Sequence, residues 1–238
     1  MGFLGTHDML QSNMVLNGNY NINLLNLIQR FPRILEITET LNNNDIRYGM
    51  FCSGVVETVT GYRQASDIDL LVDSEHVSKV ATLILDASAC YQSDRIQISL
   101  KNTDYIDFFG QSIYYDKYPF FLTDIVWENT YLIPVADTEI RLLHPIETIL
   151  VKAIQQRGIE VGKYDWEDAR QLAQSGVYYD LEYTSKRLKE IKADARIFDF
   201  LHSINLQVND SKNIVHQKES EHISIHHIST SNPSLVHL

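Results

Sequence analysis

The segment "FCSGVVETVTGYRQASDIDLLVD", residues 51–73, sets two aspartates one residue apart at the mouth of an otherwise apolar run. Side chains alternate along a strand with period two, so Asp67 and Asp69 share one face of any strand through "SDIDLLVD" (66–73). Ile68, Leu70, Leu71 and Val72 are what a buried strand needs, which puts both carboxylates at the edge of a core. Two like charges at that spacing repel unless something positive lies between them. No Lys or Arg falls on the same face nearby, because Arg63 precedes the strand. A divalent cation answers the need: Mg²⁺ takes a few carboxylate oxygens and completes its octahedron with water and substrate phosphate. A solvated strand end is the plain alternative.

Working outward, "IRYGMFCS" (46–53) reads as a short strand followed by a turn at Gly54. "VVETVTGY" (55–62) reads as a helical turn or two closed by Gly61, against the preference of its β-branched residues. Small residues at Ser53 and Gly54 let backbone N–H groups approach a phosphate closely, or simply make a tight turn. Upstream, residues 22–44 carry apolar positions at helical spacing interrupted by Pro32, which predicts two helices meeting near Phe31 and Pro32. Downstream, "SEHVSKVATLILDAS" (74–88) reads as an amphipathic helix with Ser74 as N-cap. Strands are expected at "RIQISLKN" (95–102) and "DYIDFFG" (104–110), and a hairpin at 131–144 with its turn near Ala136 and Asp137.

From Pro145 the pattern becomes helical: one helix up to a stop at Gly158, a second over 165–176, and one or two more over 181–204. Residues 208–238 are polar and rich in Ser, Asn and His, and are expected to be disordered or loosely attached. The chain is therefore expected to be α/β (α+β): a mixed β-sheet flanked by helices, followed by a small helical domain. The expected divisions are N-terminal helices at 1–45, a sheet domain at 46–144, a helical domain at 145–206 and a tail at 207–238.

The 238 residues, 44 % hydrophobic, are enough to bury a core in one domain or two small ones. No run of about 18 apolar residues exists to span a membrane, and the opening "MGFLGTHDML" does not read as a secretory signal. Cys52 and Cys90 read as reduced core thiols, so a cytoplasmic protein is expected. The net charge of -11 weighs against a long nucleic acid as partner. It is unevenly spread: residues 1–151 hold 9 Lys and Arg against 19 Asp and Glu, and residues 152–198 hold 9 against 8. An acidic half holding metal opposite a half holding phosphates would produce that split, and so would ordinary solvation. His216, His222, His226, His227 and His237 lack a fixed ligand spacing and are not read as a metal site. Tyr114, Tyr115, Tyr118, Phe120 and Phe121 form an aromatic cluster that suits core or lid packing, or base stacking.

Taken together, "SGVVETVTGYRQASDIDLLV" resembles the signature of the nucleotidyltransferase (DNA polymerase β-like) superfamily. It is closest to a bacterial and archaeal branch that reads roughly GGxAAxxxxGxRxTxDIDLxV, matched here by Gly54, Gly61, Arg63, Ser66, Asp67 and Asp69. "RLLHPIETILVKAIQQRG…KYDWEDARQL" is similar to the helical segment of the same branch through Pro145, Glu147, Lys152, Arg157, Lys163, Asp165 and Asp168. One departure is Ser53 before Gly54, the reverse of the usual Gly-Ser order.

The resemblance implies a Mg²⁺-dependent enzyme that moves a nucleoside monophosphate from an NTP, ATP included, to a hydroxyl acceptor. That acceptor would be a small molecule such as an aminoglycoside-like antibiotic, an RNA end, or a protein side chain as in toxin–antitoxin members. It implies Asp67, Asp69 and a third carboxylate holding two Mg²⁺ ions, and Asp107 is preferred to Asp104 because "YIDFF" is the more strand-like frame. Ser53, Gly54, Arg63, Lys152 and Arg157 are the expected nucleotide contacts, with Lys163 a weaker one. The bland assignments stand beside these. Arg63 pairs with Asp67 or Asp73, Lys152 snorkels to the surface, Asp165 caps a helix, and Asp168 bridges to Lys163 or Arg157. The alternative function is a non-catalytic nucleotide-binding or regulatory module of the same fold.

Overall fold

The computed structural model describes residues 20–73, 75–84, 87–91, 96–100, 106–110, 112–115 and 117–208. In chain order the elements are α1 (Tyr20–Arg30), α2 (Arg33–Asn43), β1 (Tyr48–Phe51), α3 (Ser53–Thr60), β2 (Ile68–Val72), α4 (Val77–Leu83), β3 (Ala87–Tyr91), β4 (Ile96–Leu100) and β5 (Ile106–Phe109). There follow β6 (Ser112–Tyr115), β7 (Tyr118–Phe121), α5 (Asp124–Glu128), β8 (Tyr131–Val135), β9 (Thr138–Leu142), α6 (Pro145–Gln155), α7 (Asp165–Ala173), α8 (Leu181–Glu190) and α9 (Ala195–Ser203).

Seven strands form one mixed sheet in the order β3-β4-β5-β2-β1-β9-β8, and β6 and β7 make a separate hairpin. β2 lies antiparallel to β1 and parallel to β5. It is the strand "SDIDLLVD" predicts. Ile68, Leu70 and Val72 point to one face and are fully buried, while Asp69 and Leu71 point to the other. The buried hydrophobic side chains join into one cluster reaching from Tyr20 to Leu206, so the sheet and the C-terminal helices share a core.

The turn from β1 into α3 is abrupt. Cys52 takes a positive φ of 49°, an uncommon conformation for a residue with a side chain, and α3 begins at the next residue. The β-branched content of α3 does not prevent the helix, because Val55, Val56, Thr58 and Val59 are all buried against the core and tertiary packing overrides propensity. Gly61 ends it in the left-handed region, its N–H donating to Glu57 O at 2.8 Å.

The sequence-based elements differ from these in three places. The helix expected over 74–88 covers only Val77–Leu83, with no side-chain cap bond at its start, and Ala87–Tyr91 is instead an edge strand paired with β4. Ser74, the expected cap, lies outside the described residues. The aromatic cluster of Tyr114–Phe121 is a β-hairpin, and α5 follows it. The helix from Pro145 stops at Gln155, with Gln156 rather than Gly158 taking the left-handed capping position. The tail expected from 207 onward falls outside the described residues beyond Val208, as do Asp104 and the tail histidines.

Candidate active site

Asp69 and Asp107 sit side by side. They are partners in the parallel register of β2 and β5 and project to the same face of the sheet. Asp67 immediately precedes β2, and its carboxylate accepts from Ser53 Oγ at 3.1 Å and from Ser66 Oγ at 3.1 Å. All three carboxylates line one cleft of about 440 Å³. The opposite wall comes from the C-terminal half: Lys152 and Gln155 of α6, then Arg157, Lys163 and Tyr164 of the loop behind it, with Arg63 alongside.

Among the described residues, no Lys or Arg closes an ion pair with Asp67 or Asp69. Burial, followed by the like charges of Asp67 and Asp107, pushes the Asp69 carboxyl up to about 7, with Lys152 and Lys163 opposing from across the cleft. A carboxylate raised by burial and by two like charges in a cleft is one that a cation would stabilise. No three His, Cys, Asp or Glu side chains among the described residues stand close enough to make a ready ligand cage. Mg²⁺ does not require one, since it keeps several waters and takes substrate phosphates as ligands. The all-oxygen donor set suits Mg²⁺, and Asp67, Asp69 and Asp107 are the residues that would hold such an ion.

The cation wall is fixed by two fully buried aspartates of α7. Lys152, 5 % exposed, lies 2.9 Å from Asp165 Oδ1 and 3.0 Å from Asp168 Oδ2. Burial works against its charge, yet Asp168 and Asp165 outweigh it and hold its pKa above the usual lysine range. Arg63 forks onto Asp168 with bonds of 2.7 and 2.6 Å and lies over the Tyr164 ring. Arg157 donates its backbone N–H and Nε to Asp165 Oδ2 at 2.8 and 2.9 Å. Burial opposes ionisation of Asp165, but Arg157 and Lys152 draw its pKa below the ordinary value.

These contacts correct the bland assignments. Arg63 pairs with neither Asp67 nor Asp73, and Asp73 is held by Arg47 instead. Lys152 does not snorkel, Tyr164 rather than Asp165 occupies the cap position of α7, and Asp168 holds Arg63 and Lys152.

The Ser53–Gly54 pair divides its work. Ser53 lines the cleft, and its hydroxyl donates to Asp67 O at 2.9 Å as well as to the carboxylate, tying the start of α3 to the start of β2. Gly54 faces the core: a Cβ there would meet Met50 Sδ at 2.7 Å, so the glycine allows α3 to lie close on β1.

Glu57 is a positioning group that the sequence reading passed over. It is 4 % exposed, accepts from Ala65 N at 2.7 Å and from Arg30, and Arg30 also donates to Ala65 O at 2.7 Å. This clamp fixes the loop that carries Arg63, Ser66 and Asp67. A lone Glu among the valines of α3 was the available signal.

No known family profile matches the chain, and neither does any curated protein. Among solved structures, similar folds include ANT(2")-Ia in complex with adenylyl-2"-tobramycin, at 11 % identity and a TM-score of 0.48 over 69 % of this chain and 98 % of that one. Another is the lincosamide antibiotic adenylyltransferase LnuA, lincomycin-bound, at 16 % and 0.42 over 59 % and 94 %. A third is an antigenic nucleotidyltransferase-like protein from Paracoccidioides brasiliensis, at 11 % and 0.42 over 81 % and 94 %.

Proposed function

We propose that the cleft binds a nucleoside triphosphate with Mg²⁺ and transfers its nucleoside monophosphate to a hydroxyl acceptor, as the resemblance to the nucleotidyltransferase superfamily implies. The observation that carries this reading is the pairing of Asp69 with Asp107 on one sheet face, opposite a wall of anchored cations. An anionic triphosphate and a divalent cation together neutralise both walls, and neither alone does so.

Bound Mg²⁺ would neutralise phosphate charge and lower the pKa of the attacking hydroxyl, with a second ion acting on the leaving pyrophosphate. Asp67, Asp69 and Asp107 hold the cation side. Asp107 also accepts the proton of the acceptor hydroxyl as it attacks the α-phosphorus. Lys152, Arg157 and Lys163 face the β- and γ-phosphates and stabilise charge that grows on the leaving group. Arg63 and the first backbone N–H groups of α3, at Ser53 and Gly54, complete the phosphate contacts. ATP is the proposed nucleotide and the cytoplasm the proposed setting.

A second reading is a non-catalytic nucleotide-binding module, favoured by the engagement of the Ser53 hydroxyl with Asp67. Two measurements separate them. Mg²⁺ with one of the four NTPs should raise the melting temperature of the wild type and leave Asp67→Asn/Asp69→Asn unmoved; no shift with any NTP defeats both readings. Incubation of wild type with α-labelled NTPs and cell extract should then transfer label to an acceptor, and binding without labelling selects the non-catalytic module.

A further inference from the structure

A second groove, of about 470 Å³, lies beside the cleft and is lined by Tyr115, Lys117, Tyr118, Gln155, Arg157 and Arg196 above Ile154. Tyr115, Gln155 and Arg157 line both spaces, so the groove opens into the cleft beside the proposed phosphate contacts. We propose that this groove seats the acceptor and that the acceptor carries a phosphate group; this deepens, and rests on, the nucleotidyl-transfer reading of the cleft.

The lining chemistry selects the class. Among the described residues, three cations line the groove and no carboxylate does. Two of the cations are already ion-paired: Lys117 lies 2.7 Å from Asp194 at the surface, and Arg157 is held by the buried Asp165. Arg196 closes no ion pair among the described residues. Its Nη2 donates to Ile154 O at 2.8 Å, and its guanidinium lies 5.3 Å from the centre of the Tyr118 ring. A guanidinium has five N–H donors in a fixed fork, so most remain for a ligand, and the planar fork matches a phosphate. Tyr118 is 1 % exposed and donates its hydroxyl to Asp194 at 2.8 Å, so the aromatic floor under Arg196 is itself held in place. A polyamine acceptor would meet three positive groups in the described lining.

Phosphate is shared by two sources, a small phosphorylated hydroxy compound and the phosphodiester next to a strand's terminal hydroxyl. Calorimetry on the full chain tests both, with and without saturating Mg²⁺ and α,β-methylene-ATP. The probes are ribose 5-phosphate, the dinucleotide ApA, ribose, and tobramycin as a polycation. The expected result is binding of at least one phosphate probe and neither ribose nor tobramycin. Arg196→Gln and Lys117→Gln should each weaken that binding about tenfold, while melting temperature and affinity for the ATP analogue stay within twofold or a few degrees of wild type. Tighter binding of ApA assigns a strand end, and tighter binding of ribose 5-phosphate a small metabolite. Binding of neither phosphate probe, binding unchanged in both variants, or preferred binding of tobramycin overturns the proposal. Failure of the ATP analogue alone, with phosphate probes still bound and still sensitive to Arg196→Gln, defeats the nucleotidyl-transfer reading and leaves the groove a phosphate site.

Discussion

Acidification should weaken this fold through His144. The residue is 3 % exposed and packed among the rings of Tyr131, Tyr179 and Tyr183 at 5.3–5.7 Å. Its Nδ1 accepts from Ile146 N at 3.1 Å, capping α6, and that role needs the neutral ring. Burial lowers its pKa from an ordinary 6.5 to about 4, against weaker opposing pulls from a backbone bond with Tyr178 and from Asp180. The folded pKa lies below the unfolded one, so the unfolded chain takes up the proton first. Stability from this group is full above the unfolded value and is lost as pH falls from about 6.5 toward about 4. The ceiling on that loss is about 3 kcal/mol, and about 2 kcal/mol of it is gone at pH 5. Urea unfolding followed by fluorescence of the two tryptophans at pH 8, 6 and 5 measures it, with His144→Asn as reference. Asn keeps a capping acceptor and cannot titrate, so the common background of other groups cancels in the difference. Equal losses in wild type and His144→Asn between pH 8 and 5 would refute the reasoning.

Asp69→Asn should abolish Mg²⁺-dependent nucleotide binding and yet raise apo stability at pH 8 by about 1–2 kcal/mol. The native carboxyl titrates near 7, and its ionised form is penalised by burial and by Asp67 and Asp107, with a discount for solvent reaching the cleft; a lower melting point for the variant in chelator would contradict this. Arg187→Met should cost about 3–5 kcal/mol, because it strands the fully buried Glu147 that Arg187 engages through three hydrogen bonds of 2.8–3.1 Å. Adding Glu147→Leu should restore at least half of that loss, and a single-variant loss under about 1 kcal/mol would show that the pair is not the buried charge lock it resembles.

Much of the acidic wall was legible because period-two alternation is a local property. The alternation of Ile68, Asp69 and Leu70 sets strand and face together, and "YIDFF" does the same for Asp107. The register that makes Asp69 and Asp107 neighbours comes from a crossover through α4, β3 and β4, which no local pattern encodes. The cation wall was legible as a set of residue types at helical spacing, but its pairings were not. Arg63 reaches Asp168 across 105 positions of sequence, and a sequence reading favours nearer partners such as Asp67 or Asp73. The helix expected over 74–88 takes in Ala87 and Ser88, and only pairing with β4 makes these residues the start of a strand. The β6–β7 hairpin failed to register for a similar reason, since a run of tyrosines and phenylalanines shows hydrophobicity but no clean alternation.

The uneven charge along the chain acquires a physical meaning from these contacts. Residues before 152 supply the three carboxylates, and residues from 152 on supply Lys152, Arg157 and Lys163; Arg63 is the exception, and it is drawn to the second half by Asp168. The two walls differ in what holds them. The cations are already paired with Asp165 and Asp168, so Lys152, Arg63 and Arg157 are oriented before any ligand arrives, and little ordering cost remains for a phosphate to meet. Among the described residues Asp67 and Asp69 pair with no Lys or Arg, and burial, followed by the like charges of Asp67 and Asp107, raises the pKa of Asp69. On the opposite wall four cations, Arg63, Lys152, Arg157 and Lys163, stand against the two aspartates Asp165 and Asp168, so the anchored wall keeps a net positive charge for an anion to meet. The acidic side takes a cation and the opposite wall an anion, so a divalent cation that enters bound to a triphosphate answers both, and either alone leaves one wall uncompensated.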